Sequence, residues 1–200
     1  WYFVASFLAV LGAGDVAVPL SPLSPSRELE RELAAVGARA MLVGPAGRST
    51  ADAVDRSKLP VLEFVIHSEG GSVDAIFLDD LLTTPAVPIV DRVPDDLAVL
   101  IFTSGTAGSP KAAMLSHGNL LANLEQTIAL RGEGDATDVG FGVLPMFHIF
   151  GLNVVLGTAL HAGASVLLVE RFDPMSALEA IQKHHVTVLP GAPQISQDVE

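Results

Sequence analysis

The sequence predicts an α/β fold in which mostly parallel, buried sheets are layered with helices. Three observations carry this expectation. Short apolar runs alternate along the chain with stretches of helical periodicity, the pattern of parallel strands joined by crossover helices. The runs are near-continuous rather than strictly alternating, as in strands covered on both faces. Half of the 200 residues are hydrophobic and only 17% are charged, against about 25% in an average soluble domain, so material for a core is plentiful.

The elements follow in order. An apolar helix at the start is expected to end in the glycine turn Gly12–Gly14, ahead of a short strand Val16–Leu20. Ser24-Pro25 can start a helix with Pro at its first position, with Leu29, Leu33 and Val36 on one face. Strands are expected at Ala40–Val43 and Val61–His67. Thr83 to Asp96, with three prolines and four Asp/Arg charges, is the candidate internal seam of an otherwise single partial domain, residues 1–200. Leu97–Thr103 reads as a strand. Ser116 can cap a helix that buries Leu121, Leu124 and Ile128. Strands Val139–Leu144 and Ala164–Val169 flank an apolar helix, Ile149–Leu160. Asp173-Pro174 starts a last helix through Leu178 and Ile181. Lys183, His184 and His185 complement its dipole, and strand Val186–Leu189 follows.

Composition excludes several function classes. The formal charge is −12, which repels nucleic-acid phosphate and anionic membrane surfaces. Zero cysteines exclude disulfides, thiolate metal sites and a cysteine nucleophile, and fit a reducing, cytoplasmic compartment. Residues 139–169 hold no Asp, Glu, Lys or Arg, but Pro145, His148 and His161 interrupt them. Helix Ile149–Leu160 would span about 18 Å where a bilayer core needs about 30 Å, so no transmembrane segment is expected. The opening Trp1-Tyr2-Phe3-Val4 has no Met and no basic leader, which suggests a piece of a larger protein.

Two glycine-bearing segments compete as binding loops. Gly12-Ala13-Gly14-Asp15-Val16-Ala17 matches a GxGxxA dinucleotide fingerprint, but that motif needs a helix directly behind its glycines. Pro19 and Pro22 oppose one. The second segment is Thr103-Ser104-Gly105-Thr106-Ala107-Gly108-Ser109-Pro110-Lys111, at the end of an apolar run. Its glycines let backbone N–H groups curl around an anion. Thr103, Ser104 and Thr106 supply hydroxyl donors. Lys111 is the only Lys or Arg between Arg92 and Arg131. Pro110 before Lys111 and Ala112 after it rule out a Walker A loop. On residues alone, a phosphate clamp and an ordinary strand-to-helix turn both stand.

Among the six histidines no metal-binding spacing occurs. His161, His184 and His185 read as helix-end or turn residues. His148, between Phe147 and Phe150, is either a core histidine or a pocket residue. Asp79-Asp80 and Asp95-Asp96 are adjacent pairs that point apart on a strand and read as solvated charges.

Thr103–Lys111 resembles the TSG[ST]TGxPKG signature of adenylate-forming enzymes, the superfamily of acyl-CoA synthetases, peptide-synthetase adenylation domains and luciferases. Asp95-Asp96-Leu97, Leu115–Leu120, Leu144–Gly151, Gly14–Leu20 and Val186–Pro193 resemble family segments in the family's order. The sequence departs from the pattern at Ala107, where Thr is usual, and at Ala112, where Gly is usual. The family's later motifs are missing, which implies a fragment of the large N-terminal domain without the C-terminal small domain.

The resemblance implies a two-step reaction. A carboxylic acid and ATP give an acyl-adenylate, and coenzyme A then takes the acyl group. Thr103, Ser104, Gly105, Thr106, Ala107, Gly108 and Lys111 would hold the nucleotide phosphates. Lys111 would act catalytically on the departing pyrophosphate. Mg2+ would bridge the phosphates, with Thr106 near it and no dedicated protein metal site. Phe147 and His148 would line the acyl site, with His148 also catalytic. Phe147–Gly151 and Arg171-Phe172-Asp173-Pro174 resemble fatty-acyl or aryl-CoA ligases. Other readings are a non-catalytic, self-associating module, compatible with a homo-oligomer, and a dinucleotide-dependent oxidoreductase.

Overall fold

Parallel strand pairing runs through the chain, as the apolar runs predict. The computed structural model describes residues 1–69, 76–103, 110–132, 134–170 and 172–191. The chain divides into two compact units, Trp1–Arg92 with Leu97–Leu115, and Val93–Asp96 with Ser116–Glu200.

In the first unit, helix α1 (Tyr2–Gly12) is apolar yet buries none of its residues. Gly14, at φ 77°, turns the chain in a left-handed conformation that costs glycine little. The Arg92 side chain donates to the Gly14 carbonyl. Val90 N–H donates to the Gly12 carbonyl at 2.9 Å, so the segment ahead of Val93 is stitched to the helix end. Of the expected strand Val16–Leu20, only Ala17 pairs, in a parallel bridge to Val99; Pro19 has no N–H to extend it. No helix opens behind the glycines, which removes the dinucleotide reading of Gly12–Ala17.

Helix α2 (Ser26–Val36) starts one residue later than expected, with Pro25 in the cap position. Leu29 and Leu33 are buried, and Gly37 at φ 60° closes the helix. Then follow β1 (Ala40–Val43), α3 (Arg48–Asp52), β2 (Phe64–His67), β3 (Ile76–Phe77) and α4 (Leu78–Leu82). The three strands form one parallel sheet in the order β1-β2-β3. Strand β2 is shorter than the apolar run suggests, because Leu62 N–H turns back onto the Leu59 carbonyl at 3.0 Å. Leu29 and Leu33 pack with Met41, Val43, Val54 and Leu62 as the core of this unit. At its rim Lys58 Nζ lies 2.9 Å from Glu30 and 3.5 Å from Asp55. The hydrogen bond from Lys58, then that from the Asp55 amide, holds the Glu30 carboxyl below its ordinary range.

Strand β4 (Leu97–Thr103) forms where predicted and buries Ala98 and Val99 completely. It pairs with β5 (Lys111–Ser116) in a two-stranded sheet. The sequence gives little sign of β5, since Lys-Ala-Ala-Met-Leu-Ser lacks the β-branched and aromatic residues that mark strands.

In the second unit, α5 (His117–Arg131) opens with a capping box. Ser116 Oγ accepts from Asn119 N–H at 3.2 Å, and Asn119 Oδ1 accepts from Ser116 N–H at 3.0 Å. Leu124 is buried as expected, but Leu121 is exposed. The helix turns Leu120, Asn123 and Leu124 towards its neighbour instead.

Strands β6 (Val139–Gly142) and β7 (Ser165–Leu168) pair in parallel around the fully buried Phe141. The expected strand Val186–Leu189 contributes a single parallel bridge from Val188 to Gly140. Between β6 and β7 the expected α-helix is a wide π-helix, Phe150–Gly157, continued by α6 (Thr158–Ala162). The last helix, α7 (Pro174–His184), is capped by Asp173, whose Oδ2 accepts from Ser176 N–H at 2.9 Å. It buries Ala177 while Leu178 stays exposed. No helix among the described residues is long and apolar enough to cross a membrane.

Candidate functional site

The phosphate-loop candidate is framed by two strands. Thr103 is the last residue of β4 and Lys111 the first of β5. The Thr103 hydroxyl donates to the Lys111 carbonyl at 3.4 Å. The two ends of the hydroxyl- and glycine-rich segment are therefore held together at the edge of the buried strand β4. Ser104, Gly105, Thr106, Ala107 and Gly108 lie outside the described residues, as do Arg171 and Ala192-Pro193. Lys111 is exposed and forms no ion pair among the described residues. The segment connects strand to strand, which removes the reading of a strand-to-helix turn.

The second candidate, Phe147-His148, stands between β6 and the wide helix. His148 N–H donates to the Pro145 carbonyl at 3.1 Å, and the His148 carbonyl accepts from Leu152 N–H at 3.0 Å. These bonds fix the backbone, and among the described residues the ring makes no hydrogen bond. The ring is exposed, unlike that of a core histidine, and stands 4.5 Å from the half-buried Phe147 ring at 49°. One face of this pair is apolar and the other offers two ring nitrogens, a combination suited to an organic acid.

The remaining polar residues fall elsewhere. Asp79 and Asp80 lie exposed in the first turn of α4. Asp96 Oδ2 accepts from Val93 N–H at 3.0 Å, and its carbonyl accepts from His117 N–H at 3.0 Å, a structural turn. His161 is in the last turn of α6, and His184 and His185 close α7, as expected. Among the described residues no three His or acidic side chains come together as a metal site. Sequence reasoning passed over Asn153. It is only 5% exposed and donates from Nδ2 to the Leu120 carbonyl at 3.1 Å and to Asn123 Oδ1 at 2.8 Å. The available signal was a lone amide between Leu152 and Val154 in an apolar helix.

Residues 1–199 match the family described as AMP-binding enzyme. The chain belongs to this family. It is 32% identical over 206 residues to 4-coumarate–CoA ligase 1 of Oryza sativa subsp. japonica, covering 96% of this chain and 36% of the relative. It is 39% identical over 118 residues to a long-chain-fatty-acid–CoA ligase of Bacillus subtilis (strain 168), covering 58% of this chain and 20% of that protein. ATP-bound MatB from Rhodopseudomonas palustris superposes with a TM-score of 0.80 at 30% identity, over 96% of this chain and 37% of that one. The chain thus spans about a third of the length of the 4-coumarate–CoA ligase and the MatB chain that it matches. Within this AMP-binding family member, the described ends of the hydroxyl- and glycine-rich segment are Thr103 and Lys111, and the other candidate is the Phe147-His148 pair.

Proposed function

We propose that the protein carrying this chain activates a carboxylic acid, fatty or aryl, with ATP and passes the acyl group to coenzyme A. The observation that carries this reading is the joining of Thr103 to the Lys111 backbone at the end of β4, with the Lys111 side chain exposed and in no ion pair among the described residues. The substrate would be magnesium–ATP, with the segment Thr103–Lys111 holding its β- and γ-phosphates and Thr106 offering its hydroxyl towards the metal. A carboxylate oxygen attacks the α-phosphorus, and the bond to the pyrophosphate oxygen breaks. The Lys111 ammonium offsets the charge gathering on that leaving group, while the loop holds it in line; positioning and charge stabilisation supply the catalysis. Phe147 and His148 receive the acid. In the second step the thiol sulfur of coenzyme A attacks the acyl carbon and AMP leaves. The cysteine-free composition suits the reducing environment of the cytoplasm.

The test is carboxylate-dependent ATP–pyrophosphate exchange on the full-length protein, with 4-coumarate and palmitate among the acids. Lys111→Ala should lower exchange by about a hundredfold, the scale of losing one preorganised charge-stabilising group. Unchanged exchange and nucleotide affinity in the variant would refute the clamp.

A second reading has its own observation. Helix α1 is apolar and buries none of its residues, which favours self-association of this segment as a binding module. Light scattering that finds a dimer without nucleotide affinity would support it over the ligase.

A further inference from the structure

The helix behind His148 is gripped at two points. At its start, a Cβ on Gly151 would collide with the Pro145 carbonyl oxygen and lie 2.9 Å from that of Leu144. Real Cβ atoms do not approach backbone so closely, so only glycine lets the segment before it fold down onto the helix. The same Pro145 carbonyl accepts from His148 N–H. The turn bearing Phe147 and His148 is thereby seated on Gly151. Two residues further, the buried Asn153 spends both Nδ2 hydrogens on α5, one on the Leu120 carbonyl and one on Asn123 Oδ1. At the far end, Gly157 brings the helix against Leu124, where an added Cβ would lie 2.8 Å from Cδ2.

The pitch matters to this grip. Thr158 N–H reaches the Asn153 carbonyl, five residues back, which is the spacing of a π-helix. Such turns are rare and concentrate at functional sites. The Thr158 hydroxyl donates to the Val154 carbonyl, supporting the widened backbone. Burying an amide in an apolar helix is costly unless both its donors are met. Here α5 meets both, so the helix is held to one rotational setting.

We propose that Gly151 and Asn153 are positioning residues of the acyl site, which fix the placement of Phe147 and His148 and through them select the carboxylic acid. This rests on the reading of Phe147 and His148 as acyl-site residues. The two positioning residues act through the backbone of the 145–148 turn.

The test uses the full-length protein with Asn153→Ala, Asn123→Leu and Asn123→Asp. Asn123→Leu removes one acceptor without touching the wide helix, and Asn123→Asp keeps an acceptor in place. Two readouts are taken: the KM for acid (4-coumarate or palmitate, whichever supports exchange) against the KM for ATP, and the 1H–13C signal of the His148 ring. Asn153→Ala and Asn123→Leu should raise the acid KM about tenfold while the ATP KM stays within about twofold, because misplacement by about an ångström suffices for losses of this order. Both should shift the His148 signal, and Asn123→Asp should restore both readouts. Equal changes in the two KM values, an unmoved His148 signal, or an Asn123→Asp as defective as Asn123→Leu would overturn the proposal. Should neither acid support exchange in the unaltered protein, the acyl-site reading falls and acid selection with it, while the His148 signal still decides the positioning.

Discussion

Glu32 buries one carboxyl oxygen, Oε2, that has no hydrogen-bond partner among the described residues. The residue is 7% exposed. Burial first, and the charge of Glu28 second, pushes its pKa up from the ordinary carboxylate value. The folded state therefore binds this proton more tightly than the unfolded one. Its contribution is fully present below the unfolded pKa and is lost as pH rises through the folded pKa. Glu32→Gln removes the ionisation but keeps the shape of the acid form. Urea midpoints of wild type and variant should lie close near pH ~4 and diverge in the variant's favour towards pH ~8, since the unfolded carboxyl titrates at about 4.3. Parallel pH profiles would contradict the account. Glu30, two residues earlier in α2, shows the opposite case: Lys58 and the Asp55 amide hold its carboxyl low, so its support is lost as pH falls. Residue chemistry of this kind was only partly legible beforehand. Lys111 could be singled out because an acidic chain offers no other cation nearby. Asn153 could not, because its value lies in two acceptors on a helix some thirty positions earlier.

Helix α5 depends on its start. Its capping box satisfies two backbone groups, the Asn119 and Ser116 amides, which the helix itself cannot pair. Ser116→Ala should cost about 1 kcal/mol, read as a lowered urea midpoint with unchanged slope; no change would mean that water replaces the cap without loss. Caps are where the sequence spoke most clearly. Ser116 and Asp173-Pro174 marked α5 and α7 because the stop and start signals are local. Strands Ala40–Val43 and Leu97–Thr103 were equally plain from their apolar runs. Pairing was less so: Ala17 and Val188 make bridges rather than strands, since a ladder depends on the distant partner as much as on the run. The π pitch of Phe150–Gly157 was hidden for a similar reason. Periodicity shows that a helix is apolar, whereas the fit of Gly151, Asn153 and Gly157 to their neighbours sets how widely it winds.

At the scale of the whole molecule, charge and stitching have separate effects. A formal charge of −12 with an isoelectric point near 4.7 contributes mutual repulsion between copies of this chain at neutral pH. Solubility should pass through a minimum as pH approaches 4.7, measured as turbidity across a pH series; constant turbidity would show that apolar contact outweighs charge. The stitch between α1 and the segment ahead of Val93 has a different effect. Val87 and Ile89 are 77% and 80% exposed, while Val90 and Arg92 are tied to the Gly12 and Gly14 carbonyls just beyond them. A broad-specificity protease such as elastase should therefore nick the exposed backbone between Ala86 and Val87, yet the two pieces should still elute together under native conditions. Trypsin, which must peel its substrate into an extended form, should spare the bond after Arg92 until the fastening at Gly14 is undone.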